Sequence, residues 1–464
     1  MHKETDSKKQ MTKMQHFGKV LSDIVMPDLE TSETESTLEL NFFIGKIKHT
    51  VRRLKKSPLL SKSSKGRENN YNSSMRKIVV AADSFKGSLS SAEVAEAVAL
   101  GVREVFPECE VVCLDVADGG EGTMEALLKA LGGVAVECEA HDPLMRPLRA
   151  EYGISADGGT AIIDMAAASG LTLLREDERN PMLTTTFGTG EMVAHALRSG
   201  CRRVIIGLGG SATNDGGTGM LTALGFRFVD AGGTPLPGTG GSLLHIASVD
   251  ASGAIPQLAG TAFTAACDVV NPLCGPDGAA YVYAPQKGAG AAMAETLDSG
   301  LRNFGTVTER FCGRNITDVR GAGAAGGMGA GMLAYLNAEL VPGAELLLDA
   351  MRFDEITAGA DLVITGEGRI DEQTLMGKLP VRVLRRASAP GIPVVALGGQ
   401  VTIGRNPGFA KMLSVSPAGC PPETAMLPEV AFSNVRNAVA ELLWNAEDIS
   451  YFAADSFTAD IPGA

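Results

Sequence analysis

The chain is poor in the residues on which several large classes of function depend. One tryptophan and six tyrosines in 464 residues supply no stacking platform for single-stranded nucleic acid. A formal charge of −13 opposes a nucleic-acid or anionic-membrane partner, so neither is expected. The eight cysteines contain no CxxC pair and lie far apart. That spacing argues against a disulfide or zinc framework and for a reducing, cytoplasmic setting. No apolar run approaches the roughly 18 residues of a membrane-spanning helix. Beyond residue 75 only His141, His195 and His245 remain, none beside a candidate serine nucleophile. His195 falls inside a helical pattern and reads as a packing residue. A Walker A loop and the HRD and DFG triplets of protein kinases are absent, so any use of ATP needs another architecture.

What the chain has in excess is glycine: 56 residues, about 12% against a usual ~7%. The glycines cluster at the ends of apolar runs, as expected of tight strand-to-helix turns. Residues 1–74 differ in kind. They carry 14 Lys/Arg against nine Asp/Glu and end in the polar run "SKSSKGRENNYNSS", which reads as a disordered basic extension, an over-long start ahead of an initiator at Met75. From Met75 the grammar is strand, glycine-bearing turn, helix. "KIVVAA" (77–82) is a strand, and Ser90 with Glu93 forms a capping box before Val94, Val98, Val102 and Val105. "EVVCLDVA" (110–117), "TAIIDMA" (160–166), "RRVIIGLGG" (202–210), "GFRFVD" (225–230), "AGADLVITGEGRID" (358–371) and "IPVVALGG" (392–399) continue the series, and 429–445 is amphipathic. Alternation of this type predicts an α/β fold with parallel sheets. Both chain ends share it and the middle interrupts it, so the expected layout is a discontinuous outer domain (75–135 and 315–450) with an inserted domain (136–314).

"GLGGSATNDGGTG" (207–219) is the most ambiguous stretch. Gly207, Gly209 and Ala212 match G-x-G-x-x-A after a strand, and Asp230 ends the next strand about 20 residues on. That is a dinucleotide fingerprint. An anionic Asp215 in the first helical turn would, however, face the pyrophosphate at the positive end of the helix dipole. Other loops mix glycine with a carboxylate or a cation: "ADSFKG", "ADGGEGT", "ACDVVNP", "PQKGAG", "GAGAAGGMGAG", "TGEGRIDEQT" and "MGKLP" with its Lys378. Ligands of parallel sheets bind beyond the carboxyl ends of the strands. Carboxylates, a few cations and bare backbone collected there match the needs of phosphoryl transfer.

At these loops the chain resembles a known family. "DSFKGSLS", "ADGGEGT", "MAAASGL", "GTGE", "GGSATNDGG", "ACDVVNPLCGPDGAA", "PQKGA", "GAGAAGGMG" and "TGEGRIDEQTLMGKLP" are similar, in the same order, to the motif series of the type-1 glycerate kinases over about residues 76–445. Ala82 stands where that family commonly has proline, and "ALGGQV" (396–401) departs from its usual form. The resemblance implies transfer of the ATP γ-phosphoryl group to D-glycerate with Mg2+, usually giving 2-phosphoglycerate. It implies a flavodoxin-like parallel-sheet domain and an inserted α/β domain with a restriction-endonuclease-like core, with the active site in the interdomain cleft and a homodimer as an option. A kinase of another small hydroxy-acid or polyol, or a non-catalytic sensor of glycerate or nucleotide, remains open.

Roles follow from what such a kinase must do. Arg369 and Lys86 are the candidates for the substrate carboxylate and the γ-phosphoryl group, since an Arg fork suits planar anions. Asp215, ahead of Asp371, is the expected proton acceptor. Asp83, Ser84, Thr186, Thr189, Ser211 and Asn214 are expected around the substrate. Gly323, Gly326, Gly327, Gly366, Glu367 and Lys287 are expected around ATP, and Asp118 and Asp268 around Mg2+.

Overall fold

The computed structural model describes residues 75–116 and 123–445; the extension at 1–74 and Asp118 lie outside them. The first sheet begins with β1 (Lys77–Ala82), whose last five residues are buried. A strand covered on both faces reads as a continuous apolar run, which is why "KIVVAA" shows no alternation. Helix α1 (Ser91–Val105) follows with the expected box: the Glu93 amide donates to Ser90 Oγ (3.3 Å) and the Ser90 amide to Glu93 Oε2 (2.8 Å). Strand β2 (Glu110–Asp115) pairs parallel with β1.

The chain then passes through α2 (Thr123–Ala130) into a second sheet. Strands β3 (Val134–His141) and β4 (Pro147–Ile154) form an antiparallel hairpin. Its half-exposed, charge-bearing strands gave no apolar run to read in the sequence. Next come β5 (Thr160–Asp164), α3 (Phe187–Arg198), β6 (Arg203–Gly207) and α4 (Thr218–Ala223). A two-stranded ribbon, β7 (Arg227–Val229) with β8 (Ser248–Asp250), precedes β9 (Ala262–Ala266). Two helices, α5 (Ala291–Cys312) and α6 (Ala324–Tyr335), lead to β10 (Glu339–Val341). The second sheet has the order β10-β9-β6-β5-β4-β3. Its membership extends to Val341, beyond the boundary expected at 314. The reason is α6, whose small apolar side chains have no polar face and pack entirely within the second core.

The return runs through α7 (Gly343–Ala350), β11 (Leu362–Ile370), α8 (Leu379–Ser388), β12 (Val394–Val401), β13 (Lys411–Ser414) and α9 (Pro428–Asn445). The first sheet is parallel throughout, in the order β13-β12-β11-β1-β2. Successive strands move one way from β1 to β2 and the other way from β11 to β13. The order therefore reverses between β1 and β11, the place where doubly wound sheets open a crevice.

The period-2 alternation of strands splits the second sheet between two cores. Ile163 and Ile206 enter the core of the second sheet, while Ile162 and Ile205 turn to a core shared with α2, α7, α8 and the first sheet. The other face of the first sheet packs on α1 and α9.

Candidate active site

The switch-point crevice has a volume of about 440 Å3. Its floor is built from the ends of β1 and β11, joined where the Asp83 amide donates to the Gly366 carbonyl (2.8 Å). After Asp83 the chain makes a tight turn: Phe85 and Leu89 exchange both backbone hydrogen bonds, and the Ser90 cap launches α1 at once. Lys86 is thereby held at an exposed turn on the crevice wall. From the β11 side come Glu367, Arg369 and Asp371, and from the start of α8 Lys378. Glu367, 5% exposed, accepts from Thr374 Oγ1 (2.6 Å) and pairs with Lys378 Nζ at 3.1 Å. Arg369 Nε lies 3.6 Å from Asp371 Oδ2 with most of its side chain in solvent. Val415, Pro422, Ala425, Met426 and Ala431 form an apolar patch of the remaining wall, beside Gln373, Gln400 and Ser416. Two buried polar atoms on this wall, Ser88 Oγ and Asn434 Nδ2, have no partner among the described residues. Buried donors are nearly always paired, so this wall is suited to a ligand with polar edges.

The stretch 207–219 has a different environment. Asp215 is fully buried and lines neither this crevice nor the second cavity described below. Its carboxylate accepts from the Thr186 amide and hydroxyl (both 2.8 Å), the Gly217 amide (3.0 Å) and the Gly219 amide (3.2 Å). Those donors sit at the starts of α3 and α4, so one carboxylate caps two helix N-termini. Burial pushes its pKa up, and the donors from Thr186, Gly217 and Gly219 pull it down. The charge that argued against a dinucleotide is the helices' own cap. Thr186 completes the exchange by accepting from the Met220 amide (2.8 Å), and Thr189 is buried against Ser169 Oγ (2.7 Å). Asn214 is buried with neither amide atom partnered among the described residues.

The glycines of 321–331 are consumed in the same packing. Ala325, Gly326 and Gly327 are left-handed, at φ 51°, 67° and 91°. A methyl group on Gly326 would collide with the Thr213 carbonyl oxygen, while the Gly216 amide donates to the Gly326 carbonyl (3.0 Å). Gly323 and Gly327 are likewise buried against neighbouring backbone and side chains, and Gly366 packs on Leu397 in the next strand. The bare backbone expected to cradle phosphates is thus a plug on the 213–217 loop.

A second cavity, of about 330 Å3, lies beyond β6 and β9. Ser211, Asp268, Tyr283, Gln286 and Lys287 line it, with Ala324 and Ala325 from the plug. Asp268 Oδ1 accepts from the Gly343 amide at the start of α7 (3.2 Å). Lys287 is 2% exposed, and its ammonium donates to Ser211 Oγ (2.7 Å) and the Thr213 carbonyl (2.6 Å). Burial pushes its pKa down to about 7, opposed by the charge of Asp215.

The structure therefore divides the residues expected from the sequence. Asp83, Ser84, Lys86, Glu367, Arg369 and Asp371 gather at the crevice, and Ser211, Asp268 and Lys287 at the second cavity. Asp215, Thr186, Thr189, Asn214, Gly323, Gly326, Gly327 and Gly366 line neither, because helix capping and backbone packing occupy them. Asp268 has no partner set for a metal: among the described residues no three His, Cys, Asp or Glu side chains are grouped to hold one. Lys378, Ser88 and Asn434 carry no role in the sequence reading. Asn434 left one signal, a polar residue three positions after Ala431 on the apolar face of α9.

A model of the glycerate kinase family matches residues 78–445. The glycerate kinase of Bacillus subtilis (strain 168) is 47% identical over 353 residues, 75% of this chain and 92% of that protein. The glycerate 2-kinase of Escherichia coli (strain K12) is 47% identical over 326 residues, 70% of this chain and 86% of that protein. The crystal structure of a proposed glycerate kinase 2 from Salmonella typhimurium LT2 superposes with a TM-score of 0.70 at 43% identity, covering 80% of this chain and 98% of that one. Ordered motifs, a parallel sheet with a charged switch-point crevice and these matches agree: the chain belongs to the glycerate kinase family.

Proposed function

We propose that this protein transfers the γ-phosphoryl group of ATP to D-glycerate, giving ADP and 2-phosphoglycerate, with the nucleotide in the switch-point crevice. The observation that carries the reading is the composition of that crevice. Lys86, Arg369 and Lys378 suit the charge of a triphosphate. The wall's apolar patch with its orphaned Ser88 Oγ and Asn434 Nδ2 suits a purine, which is flat, apolar on its faces and polar at its edges.

In the reaction a glycerate hydroxyl oxygen forms a bond to the γ-phosphorus, and the bond to the β–γ bridging oxygen breaks. The hydroxyl proton passes to a carboxylate. Asp371 takes that role in the proposal, since Asp215 is held by its four donors. Mg2+ binds few protein groups when it travels with a nucleotide and keeps several waters. Asp83 and Asp371, on the crevice lining, would hold those waters, and the ion would neutralise the β- and γ-phosphate charge. A cytoplasmic location and a homodimer belong to the same proposal; no described helix is long and apolar enough to cross a membrane.

Coupled measurement of ADP release with ATP, Mg2+ and D-glycerate tests the activity. Phosphorus NMR of the product tests the position, because a 2-phosphate couples to one methine proton and a 3-phosphate to two methylene protons. Release only with another hydroxy-acid or polyol would reassign the acceptor. Silence across such a panel would favour a non-catalytic sensor.

A further inference from the structure

We propose that the cavity beyond β6 and β9 is the seat of the hydroxy acid, with the Lys287 ammonium gripping its carboxylate and Asp268 accepting from the hydroxyl that is not phosphorylated. The assignment rests on the reading above, in which the nucleotide occupies the other crevice. Lys287 is buried yet borders open space. Both of its partners, Ser211 Oγ and the Thr213 carbonyl, are neutral, and they use two of its three N–H bonds. Among the described residues no carboxylate forms an ion pair with it. Asp215, the carboxylate whose charge it feels, is engaged by its own four donors, and a buried ammonium with no directly hydrogen-bonded carboxylate is unfavourable. A lysine kept in that state on a cavity wall is matched to an anion that arrives from outside.

Charge selects which anion. The crevice sets Lys86, Arg369 and Lys378 among Asp83, Glu367 and Asp371, whereas this cavity holds the single pair Lys287 and Asp268, so a triphosphate with its metal suits the first and a monocarboxylate the second. Asp268 sharpens the choice. Its carboxylate would repel a plain acid and welcome hydroxyl donors, so the cavity distinguishes glycerate from propionate. The second cavity also abuts helices that pack against the first sheet. At the end of β6, a methyl carbon added at Gly207 would lie 3.1 Å from Met124 Cγ in α2; at the end of β9, Asp268 holds the start of α7. Both helices belong to the core shared with the first sheet.

The groups facing Lys287 are Asp215, Asp268, Cys267 and Tyr283. Burial raises the last two, Cys267 to about 11, so both are neutral near pH 7. Lys287, which burial pushes down to about 7, is placed to gain a proton when an anion enters. The bound acid favours the ammonium, so binding above pH 7 takes up a proton and weakens by up to about tenfold per pH unit.

Calorimetric titration of D-glycerate and of a non-hydrolysable ATP analogue, alongside the coupled assay, tests the proposal with Lys287→Met and Asp268→Asn. Lys287→Met is expected to weaken D-glycerate binding at least ~100-fold with the analogue within ~2-fold. Asp268→Asn is expected to narrow the preference for D-glycerate over propionate. For the wild-type protein, titrations at pH 8 in two buffers of different ionisation enthalpy should report close to one proton taken up, a readout that survives if Lys287→Met does not fold. Unchanged glycerate binding in Lys287→Met, loss of the ATP analogue instead, or no proton uptake would each overturn the assignment while leaving the kinase reading intact. If the wild-type protein phosphorylates a different hydroxy acid whose binding shows the same dependence on Lys287, the seat stands and the glycerate reading fails.

Discussion

Two glycine-rich stretches, 207–217 and 365–371, share one local grammar and have opposite fates. The first leaves the carboxyl end of β6 and the second forms the carboxyl end of β11, each carries an aspartate, and each looks like a ligand segment. In 365–371 the aspartate and its arginine line an open crevice. In 207–217 the aspartate is sealed beneath two helix N-termini, and the loop's rim, Leu208 to Ser211, meets a cavity. The difference is a partner. Residues 321–331 are small enough for backbone to lie on backbone, and they fill the space over 213–217; among the described residues the end of β11 instead lines an open crevice. Glycine at a strand end permits close approach, but whether a ligand or another part of the chain uses it depends on what stands opposite.

That contrast can be broken by substitution. The largest effect is expected from Asp215→Asn, which presents an amide to donors that need an acceptor and should destabilise the fold by about 3–5 kcal/mol in denaturant unfolding. Asp371→Asn, its counterpart, should leave the unfolding midpoint in place and lower kcat. Reversed outcomes would return Asp215 to the chemistry. Next, Lys86→Ala should reduce kcat/KM by roughly 10²–10³-fold with an unchanged far-ultraviolet spectrum and midpoint. Normal turnover would remove Lys86 from the site. Gly326→Ala meets both a left-handed φ and the Thr213 carbonyl; a loss of about 1–3 kcal/mol is expected, and a neutral result would mean the plug is loose. Asn434→Ala should raise the KM for ATP about tenfold, or 1.4 kcal/mol, and narrow the preference for ATP over GTP at constant kcat. The smallest change is expected from Ser90→Ala, about 1 kcal/mol of stability from the lost cap, with turnover per folded molecule unaltered.

Much of the first sheet was legible because its signals are local. The apolar run 77–82 and the Ser90–Glu93 box need no distant partner to be recognised, and both occur where expected. The β3–β4 hairpin was not, since its strands face solvent on one side and carry glutamates and an arginine. The crevice was half legible. Lys86, Arg369 and Asp371 lie in loops that announce themselves, whereas Asn434 comes from a helix 63 positions after Asp371 and enters the site only because α9 packs beside α1.

By itself, then, the sequence determined the α/β class, the family through its ordered motifs, and the inventory of charged groups at strand ends. These are properties of short segments, written in periodicity and turn chemistry. Which aspartate lines a crevice and which is a cap, which lysine is buried beside a cavity, and which glycines are filled by backbone were decided only by the tertiary structure. Each of those depends on desolvation and on donors brought from far along the chain, and a burial of that kind has no local spelling.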